Sequence, residues 1–334
     1  MKISACAIIK NEEKNLPAYI EGVRNIADEI IITDTGSTDN SVKLLESLKE
    51  KFNLNLQIHH FEWIADFAAA KNFTLEKATG DWIIFLDADE YFDKKHRKKV
   101  RPFIEKIHKD TSVISVASPI ISIDTENNNK TVLESSQIRI FRNAPYLRYE
   151  GAIHEHLQYT GNSAARRLES DIVIIHTGYS SGTIAQKKKR NREIILKHKD
   201  LATGDMPSYY GYLALAYYEE GEYQKALETI EEGLPLIEKT DSMVLIECYD
   251  IYIKTKIRQK ASDEEILKII DNALKHAPNH PDLLMHRLTV LLESENLAEK
   301  YEEVEKLCKT IFENAKDEEL RKKYFNKIDA RLPY

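Results

Sequence analysis

Five consecutive apolar residues, Trp82-Ile83-Ile84-Phe85-Leu86, run directly into Asp87-Ala88-Asp89-Glu90, and no other stretch restricts the fold as much. A run without a polar position leaves no face for water, so it reads as a strand buried on both sides. Burying Asp87 and Asp89 without partners is costly, so the strand delivers them at its carboxyl end, into a crevice. Carboxylates two residues apart at such a place can share a hard divalent cation, Mg²⁺ or Mn²⁺, which retains open positions for phosphate oxygens. A solvated turn or a helix cap uses the same residue types, and a bare Asp-x-Asp is compatible with either; its surroundings separate the two.

Those surroundings alternate strand and helix. Ile3 to Ile9 is an apolar strand, Glu12 to Asn25 carries a helical pattern through Leu16, Ile20 and Val23, and Glu29 to Thr33 is a second strand, which makes a βαβ unit. Asp34-Thr35-Gly36-Ser37-Thr38-Asp39-Asn40-Ser41 is a strand-to-helix turn, with Gly36 for tight backbone geometry and Ser37 to Asp39 as caps for the helix of Val42, Leu45 and Leu48. Asp34 stands at a strand end, as Asp87 does, where a carboxylate accepts hydrogen bonds from a base N–H or a ribose hydroxyl. Asp39 is either a cap or a ligand contact. Leu54 to Phe61 is a third strand, and Trp63 to Thr79 a helix that stops at Gly80. Lys71, on that helix, either reaches a nucleotide or is an exposed helix lysine.

Four stretches together are distinctive: Ala5-Cys6-Ala7-Ile8-Ile9-Lys10-Asn11-Glu12-Glu13, Asp34 to Asp39, Asp66-Phe67-Ala68-Ala69-Ala70-Lys71-Asn72 and Asp81 to Glu90. In this order they resemble the successive motifs of family 2 glycosyltransferases, over roughly residues 1 to 180. The resemblance implies a GT-A fold, an α/β nucleotide-sugar-binding domain with a Rossmann-like, mostly parallel sheet. It further implies that Asn11, Glu12, Asp34 and Asp39 line a uridine site, that Lys71 lies near the nucleotide, and that Asp87 and Asp89 hold the diphosphate and its Mn²⁺ or Mg²⁺. Where the family usually has arginine this chain has Lys71, a point charge in place of a bidentate fork.

Lys94 to Lys109 reads as an amphipathic helix, Val113 to Ile123 as a strand, and Asn-rich Asp124 to Lys130 as a loop tip. Gln137 to Asn143, Tyr149 to His156 and Ile174 to Tyr179 then resemble the acceptor side of the same enzymes. Moving a sugar from a nucleotide diphosphate by one displacement inverts the anomeric carbon and requires a base for the acceptor and a cation for the leaving phosphate. Glu155 is the candidate base and His154 the alternative, or a histidine that orients its neighbour. His176, after the apolar stretch Asp171 to Ile175, is either a third metal ligand or a satisfied core histidine. A retaining glycosidase is disfavoured, because Asp87 and Asp89 are too close in sequence to flank a glycosidic bond from opposite sides.

Beyond Pro207 the chain is helical, with Glu and Lys on the outer faces. Tyr210, Leu213, Ala214, Tyr217, Gly221, Tyr223 and Ala226 fall at tetratricopeptide spacing; Ile266, Ile270, Ala273 and Pro278 give a second, weaker copy, and Leu283 to Leu292 with Tyr301 to Ala315 a third hairpin. The expected division is a catalytic domain over 1–200 and an all-α TPR-like helical domain over 207–334. The helices either present an acceptor or serve packing and homodimerisation.

At 334 residues and 42% apolar content the chain has room for two domains. A net charge of −7 argues against a nucleic-acid partner, and the basic run Lys187 to Arg192 reads as a solvated helix face. Three isolated cysteines fit a reducing cytoplasm, and no run reaches membrane-spanning length, so any membrane contact is peripheral. The expectation is an inverting, metal-dependent transferase taking a UDP-sugar of UDP-glucose or UDP-GlcNAc type to a peptide or protein side chain. The family branch that pairs such domains with helical repeats includes enzymes that glycosylate bacteriocin peptides on cysteine. The alternatives are a transferase of cell-surface glycan or lipooligosaccharide assembly, and a catalytically silent TPR scaffold.

Overall fold

The computed structural model describes residues 1–162, 164–178, 181–197, 206–239, 243–294, 296–317 and 320, with 181–188, 206–208 and 243 described by backbone alone. Tyr179 and the side chains of Lys187, Lys188 and Pro207 lie outside the described residues, as does the expected helical domain from 321 onward. The chain divides into two compact units, one built on residues 1–185 and a second beginning at Gln186.

The first unit opens with β1 (Ile3–Ile9), α1 (Leu16–Val23), β2 (Glu29–Asp34), α2 (Ser41–Phe52), β3 (Leu56–His60), α3 (Phe67–Lys77) and β4 (Trp82–Phe85). It continues with β5 (Glu90–Phe92), α4 (Arg97–His108), β6 (Val113–Asp124), β7 (Lys130–Arg142), β8 (Leu147–Glu150), β9 (His156–Tyr159), β10 (Arg166–Glu169) and β11 (Ile174–His176). The main sheet has the order β3-β2-β1-β4-β7-β6-β11-β5, with β10 beside β6, while β8 and β9 form a separate hairpin. The first four strands of that order are parallel; β7 enters antiparallel to both β4 and β6, so the sheet is mixed but mostly parallel.

Alternation along β1 explains the layers. Ile3, Ala5, Ala7 and Ile9 face the core shared with Leu16, Tyr19 and Ile20 of α1, Leu45 of α2 and Ile104 of α4. Cys6 faces the other core, with Ala68 and Leu75 of α3, Phe85 and Tyr149. With both faces covered, β4 is buried at all four positions, as its unbroken apolar run requires.

Two helices begin later than their periodicity suggests. The helix expected from Glu12 starts at Leu16, because Asn11 takes a left-handed backbone (φ 59°) and the Glu12 carbonyl accepts the Asn15 and Leu16 amides. The helix expected from Trp63 starts at Phe67: Ala65 is left-handed (φ 65°), and the Asp66 carboxylate caps the Ala69 amide at 2.8 Å. Gly80 ends the connection for a steric reason, since a Cβ there would stand 2.5 Å from Ser4 Oγ and 2.7 Å from Ser4 N.

The boundary in sequence between the units falls within helix α5 (Ser181–Lys197). The second unit then contains α6 (Met206–Glu219), α7 (Tyr223–Ile237), α8 (Met243–Arg258), α9 (Asp263–His276), α10 (Pro281–Glu293) and α11 (Tyr301–Lys316). Successive helices pack as hairpins, α6 on α7, α8 on α9 and α10 on α11. Ala214 and Ala226 are fully buried small residues, and Ala214 packs with the larger Ile230 and Ile251. Cys6 and Cys248 are buried, Cys308 is exposed, and all three are free thiols. No helix among the described residues is long and apolar enough to cross a membrane.

Glu29, 2% exposed, anchors the edge of the sheet away from the carboxylate end of β4. It accepts from Lys2 Nζ at 2.8 Å, Ser4 Oγ at 2.6 Å and the Thr79 amide at 2.6 Å. Burial alone would raise its pKa, but these donors outweigh it and hold the carboxyl at about 2 against an ordinary 4.5. The folded value lies below the unfolded one, so the stabilisation is complete above pH 4.5 and lost as pH falls towards 2. The shift is worth about 3 kcal/mol. Urea denaturation across that window is expected to show a loss of this order in the wild type and a flatter profile in Glu29→Gln, which is also less stable at neutral pH.

Candidate active site

The parallel register puts the carboxyl ends of β1, β2, β3 and β4 along one edge, with Ile9 opposite Asp34 and Asp34 opposite His60. Asp34, 5% exposed, accepts the Ser37 amide at 3.0 Å and the Gly36 amide at 3.2 Å, and its Oδ2 lies 3.3 Å from His60 Nδ1. Its neighbour across the strand gap is Asn11, whose Oδ1 accepts the Thr38 amide at 2.7 Å and the Asp39 amide at 3.3 Å. Glu12 donates its amide to Ser41 Oγ at 2.8 Å and accepts Asn15 Nδ2 at 2.7 Å. Asp39 caps the Ser41 amide at 2.9 Å and receives the Glu13 amide at 3.3 Å; burial opposes its charge, but these bonds win and lower its pKa. Two loops far apart in sequence are thus laced into one wall.

At the end of β4 the chain turns, the Asp87 carbonyl accepting the Glu90 amide at 2.9 Å, and the charges interlock. Lys71, 3% exposed, places Nζ 3.1 Å from Asp87 Oδ1 and 2.7 Å from Glu155 Oε1. Arg139 of β7 sends Nε to Glu90 Oε2 at 2.7 Å and Nη2 to both Glu90 Oε1 at 2.7 Å and Asp87 Oδ2 at 3.0 Å. The result is an alternating chain, Glu155, Lys71, Asp87, Arg139, Glu90. Burial would raise the Asp87 pKa, yet the Lys71 and Arg139 charges hold it well below the ordinary carboxylate range. Burial would likewise lower that of Lys71, and Asp87 and Glu155 instead raise it. The Phe85 and Tyr149 rings lie 5.3 and 5.2 Å from the ammonium.

Asp89 forms a second group. Its Oδ2 is 3.3 Å from His176 Nε2, and His176 Nδ1 is 3.1 Å from Ser122 Oγ. Burial would lower the imidazole pKa, but the bond to Asp89 and the charges of Asp89, Glu90 and Asp87 raise it. Three or more His, Cys, Asp or Glu side chains do not converge on a potential ion position among the described residues. Asp89 and His176 bring a carboxylate and an imidazole together beside Asp87, whose two oxygens meet Lys71 and Arg139. His154, left-handed at φ 53°, adjoins Glu155 in the β8–β9 loop.

Residues 4–195, more than half of the chain, match the glycosyl transferase family 2 model. The chain belongs to glycosyl transferase family 2. Its first unit has the GT-A fold, and its second is helical. The SPbeta prophage-derived glycosyltransferase SunS of Bacillus subtilis is 29% identical over 191 residues, which cover 57% of this chain and 43% of SunS. A TPR repeat-containing protein of Synechococcus elongatus is 30% identical over 154 residues, 46% of this chain and 35% of that protein. The match therefore spans less than half the length of either relative. Among solved structures, S. aureus TarS 1-349 in complex with UDP-GlcNAc aligns over 91% of this chain and 92% of that one, with 16% identity and a TM-score of 0.43.

Within this family 2 chain the geometry brings Lys71, Asp87 and Glu155 into direct contact, pairs Asp89 with His176, and gathers Asn11, Glu12, Asp34 and Asp39 on the adjoining wall. Sequence reasoning missed Arg139, Glu90, His60 and Asn72 as site residues. Arg139 carried a usable signal: an arginine between Ile138 and Ile140 in an apolar strand needs a buried anion. Breaking a fully buried pair costs about 3–5 kcal/mol. Asp87 is 38% exposed and keeps Arg139, so Lys71→Met is expected to lower stability by about 2–3 kcal/mol, measured by urea denaturation at pH 7.

Proposed function

We propose that this protein is an inverting glycosyltransferase that takes the sugar of a UDP-sugar to a peptide or protein side chain. The observation that carries the reading is the shared ammonium of Lys71, which brings the carboxylate of the Asp-x-Asp turn and Glu155 into contact with one cation. A donor diphosphate lying across the end of β4 meets Lys71 and Arg139, and its nucleoside lies along the wall of Asn11, Asp34 and Asp39, where Asp34 accepts the uracil N–H. Five acidic side chains, Asp34, Asp87, Asp89, Glu90 and Glu155, stand against two permanent cations, which leaves room for a divalent ion. Asp89 and His176 are the residues that would hold it, with substrate phosphate oxygens and water completing the shell, a donor set that suits Mn²⁺ or Mg²⁺. When bound, such an ion offsets the charge that develops on the leaving diphosphate.

Glu155 is the base. Its Oε1 is held by Lys71, while Oε2 accepts no hydrogen bond among the described residues. The acceptor O–H or S–H gives its proton to Oε2 as the acceptor atom bonds to the anomeric carbon. The bond from that carbon to the diphosphate oxygen breaks in the same step. The products are the glycosylated acceptor with inverted configuration, UDP and a protonated Glu155. His154 flanks the base and orients it. The helical unit, read as TPR-like repeats, presents the acceptor, and three free thiols suit a reducing cytoplasm.

Loss of a general base costs about 10²- to 10⁴-fold. Glu155→Gln is therefore expected to reduce transfer to a hydroxyl acceptor by that factor with UDP affinity unchanged, and turnover within threefold of wild type would end the assignment. A thiol acceptor, already partly ionised near neutral pH, would show a smaller loss. Calorimetric titration of UDP with Mn²⁺ is expected to give tighter binding than in EDTA, and Asp89→Ala to abolish that difference while the protein stays folded. Equal affinity under both conditions would remove the metal from the reading.

A further inference from the structure

We infer that Asn72 is a positioning residue that sets the location of Glu155 by serving as a surrogate strand partner for Tyr149, an inference that rests on Glu155 being the base. A primary amide carries one donor and one acceptor in the arrangement of a peptide group, and both are used. Asn72 Nδ2 donates to the Tyr149 carbonyl at 2.9 Å, and the Tyr149 amide donates to Asn72 Oδ1 at 2.9 Å. Tyr149 faces Leu157 in the β8–β9 register. In an antiparallel pair a residue either exchanges both bonds with its partner or turns both outward, and Tyr149 turns them outward, to α3.

Three ties join α3 to this hairpin within six residues. The Phe67 amide, in the first turn where helix donors lack internal partners, donates to the Ala152 carbonyl at 2.9 Å. Asn72 holds Tyr149, and Lys71 meets Glu155 at 2.7 Å. Between Tyr149 and Glu155 the chain passes through Gly151 at φ 96° and His154 at φ 53°, two left-handed residues that return Glu155 towards the helix. The Lys71 ion pair is shared with Asp87 and is weakly directional. The amide pair is directional in two bonds, so it is Asn72 that fixes the height of the hairpin over the crevice, and a slip there moves Glu155 relative to Asp87. A displacement of about 1 Å in a reacting group costs on the order of 10²-fold.

The test uses the full chain with Asn72→Asp, alone and combined with Glu155→Gln. Aspartate keeps the shape but sets a second acceptor against the Tyr149 carbonyl. UDP is the binding probe, and sugar release from UDP-glucose and UDP-GlcNAc to water is the turnover probe. The expected result is a turnover loss of about 10²-fold for Asn72→Asp, with UDP affinity within about twofold of wild type. No further loss is expected when the change is added to Glu155→Gln, because displacing an absent base changes nothing. Hydrogen exchange at the Tyr149 amide quickens while that of β1 stays as in wild type. Losses that multiply in the double variant, wild-type turnover of Asn72→Asp, or unaltered exchange at Tyr149 would each overturn the inference and leave the functional reading standing. Wild-type turnover of Glu155→Gln alone would sink that reading, and with it the base that Asn72 is to position. Should Asn72→Asp not fold, Asn72→Ser, which cannot offer both bonds in that geometry, runs the same cycle.

Discussion

The ammonium of Lys71 is the charge on which this site depends. Buried to 3% exposure, it would not be tolerated without anions, and the two it has come from different parts of the chain, Asp87 at the end of β4 and Glu155 beyond β8. Removing Lys71 takes from Glu155 its cation and leaves Asp87 only Arg139, whereas removing either carboxylate leaves Lys71 the other. The same reasoning extends through Arg139 to Glu90, so the geometry of the turn after β4 is set by a chain of alternating charges rather than by local sequence. Such networks contribute little net stability compared with an apolar core, and their value lies in holding one arrangement of groups.

The two edges of the sheet divide their labour accordingly. At one edge Glu29 is fully engaged by Lys2, Ser4 and Thr79, and Gly80 lies too close to Ser4 for any side chain. That edge is closed and stabilising. At the other, the strand ends stop in polar groups, Asp34 beside an exposed His60 and Asp87 just past β4, and the β8–β9 loop brings Glu155 to them through Lys71. A parallel sheet covered on both faces leaves only its carboxyl edge for ligands, which is why the chemistry gathers there.

In the helical unit, polar contacts hold packed helices in register. Tyr210, Tyr249 and Tyr252 each give a hydroxyl to a glutamate near or within α7, Glu232 at 2.7 Å, Glu238 at 2.5 Å and Glu231 at 3.2 Å. A tyrosine between helices buries its ring and leaves its hydroxyl at the rim, so the same residue supplies both packing and direction.

What the sequence determined by itself is what periodicity and order carry. The unbroken run at Trp82 required a strand covered on both faces, the apolar stretch Ile3 to Ile9 read as a strand, and four motifs in order identified the family and its fold. Local signals also placed Lys71 on its helix and Asp87 at a strand end. The tertiary structure alone decided which of these touch. That Lys71 would turn inward to join Asp87 and Glu155, that Arg139 would close the turn through Glu90, and that His176 would meet Asp89 depend on pairing between segments far apart in the chain, for which no short-range pattern exists. Helix starts at Leu16 and Phe67 were likewise hidden, because Asn11 is held left-handed by bonds from the loop at Thr38 and Asp39, and nothing in the local pattern announces the left-handed backbone of Ala65. Asn72 illustrates the limit most clearly. An asparagine in mid-helix is unremarkable in one dimension, and only the strand laid beside it converts its amide into a peptide-like partner.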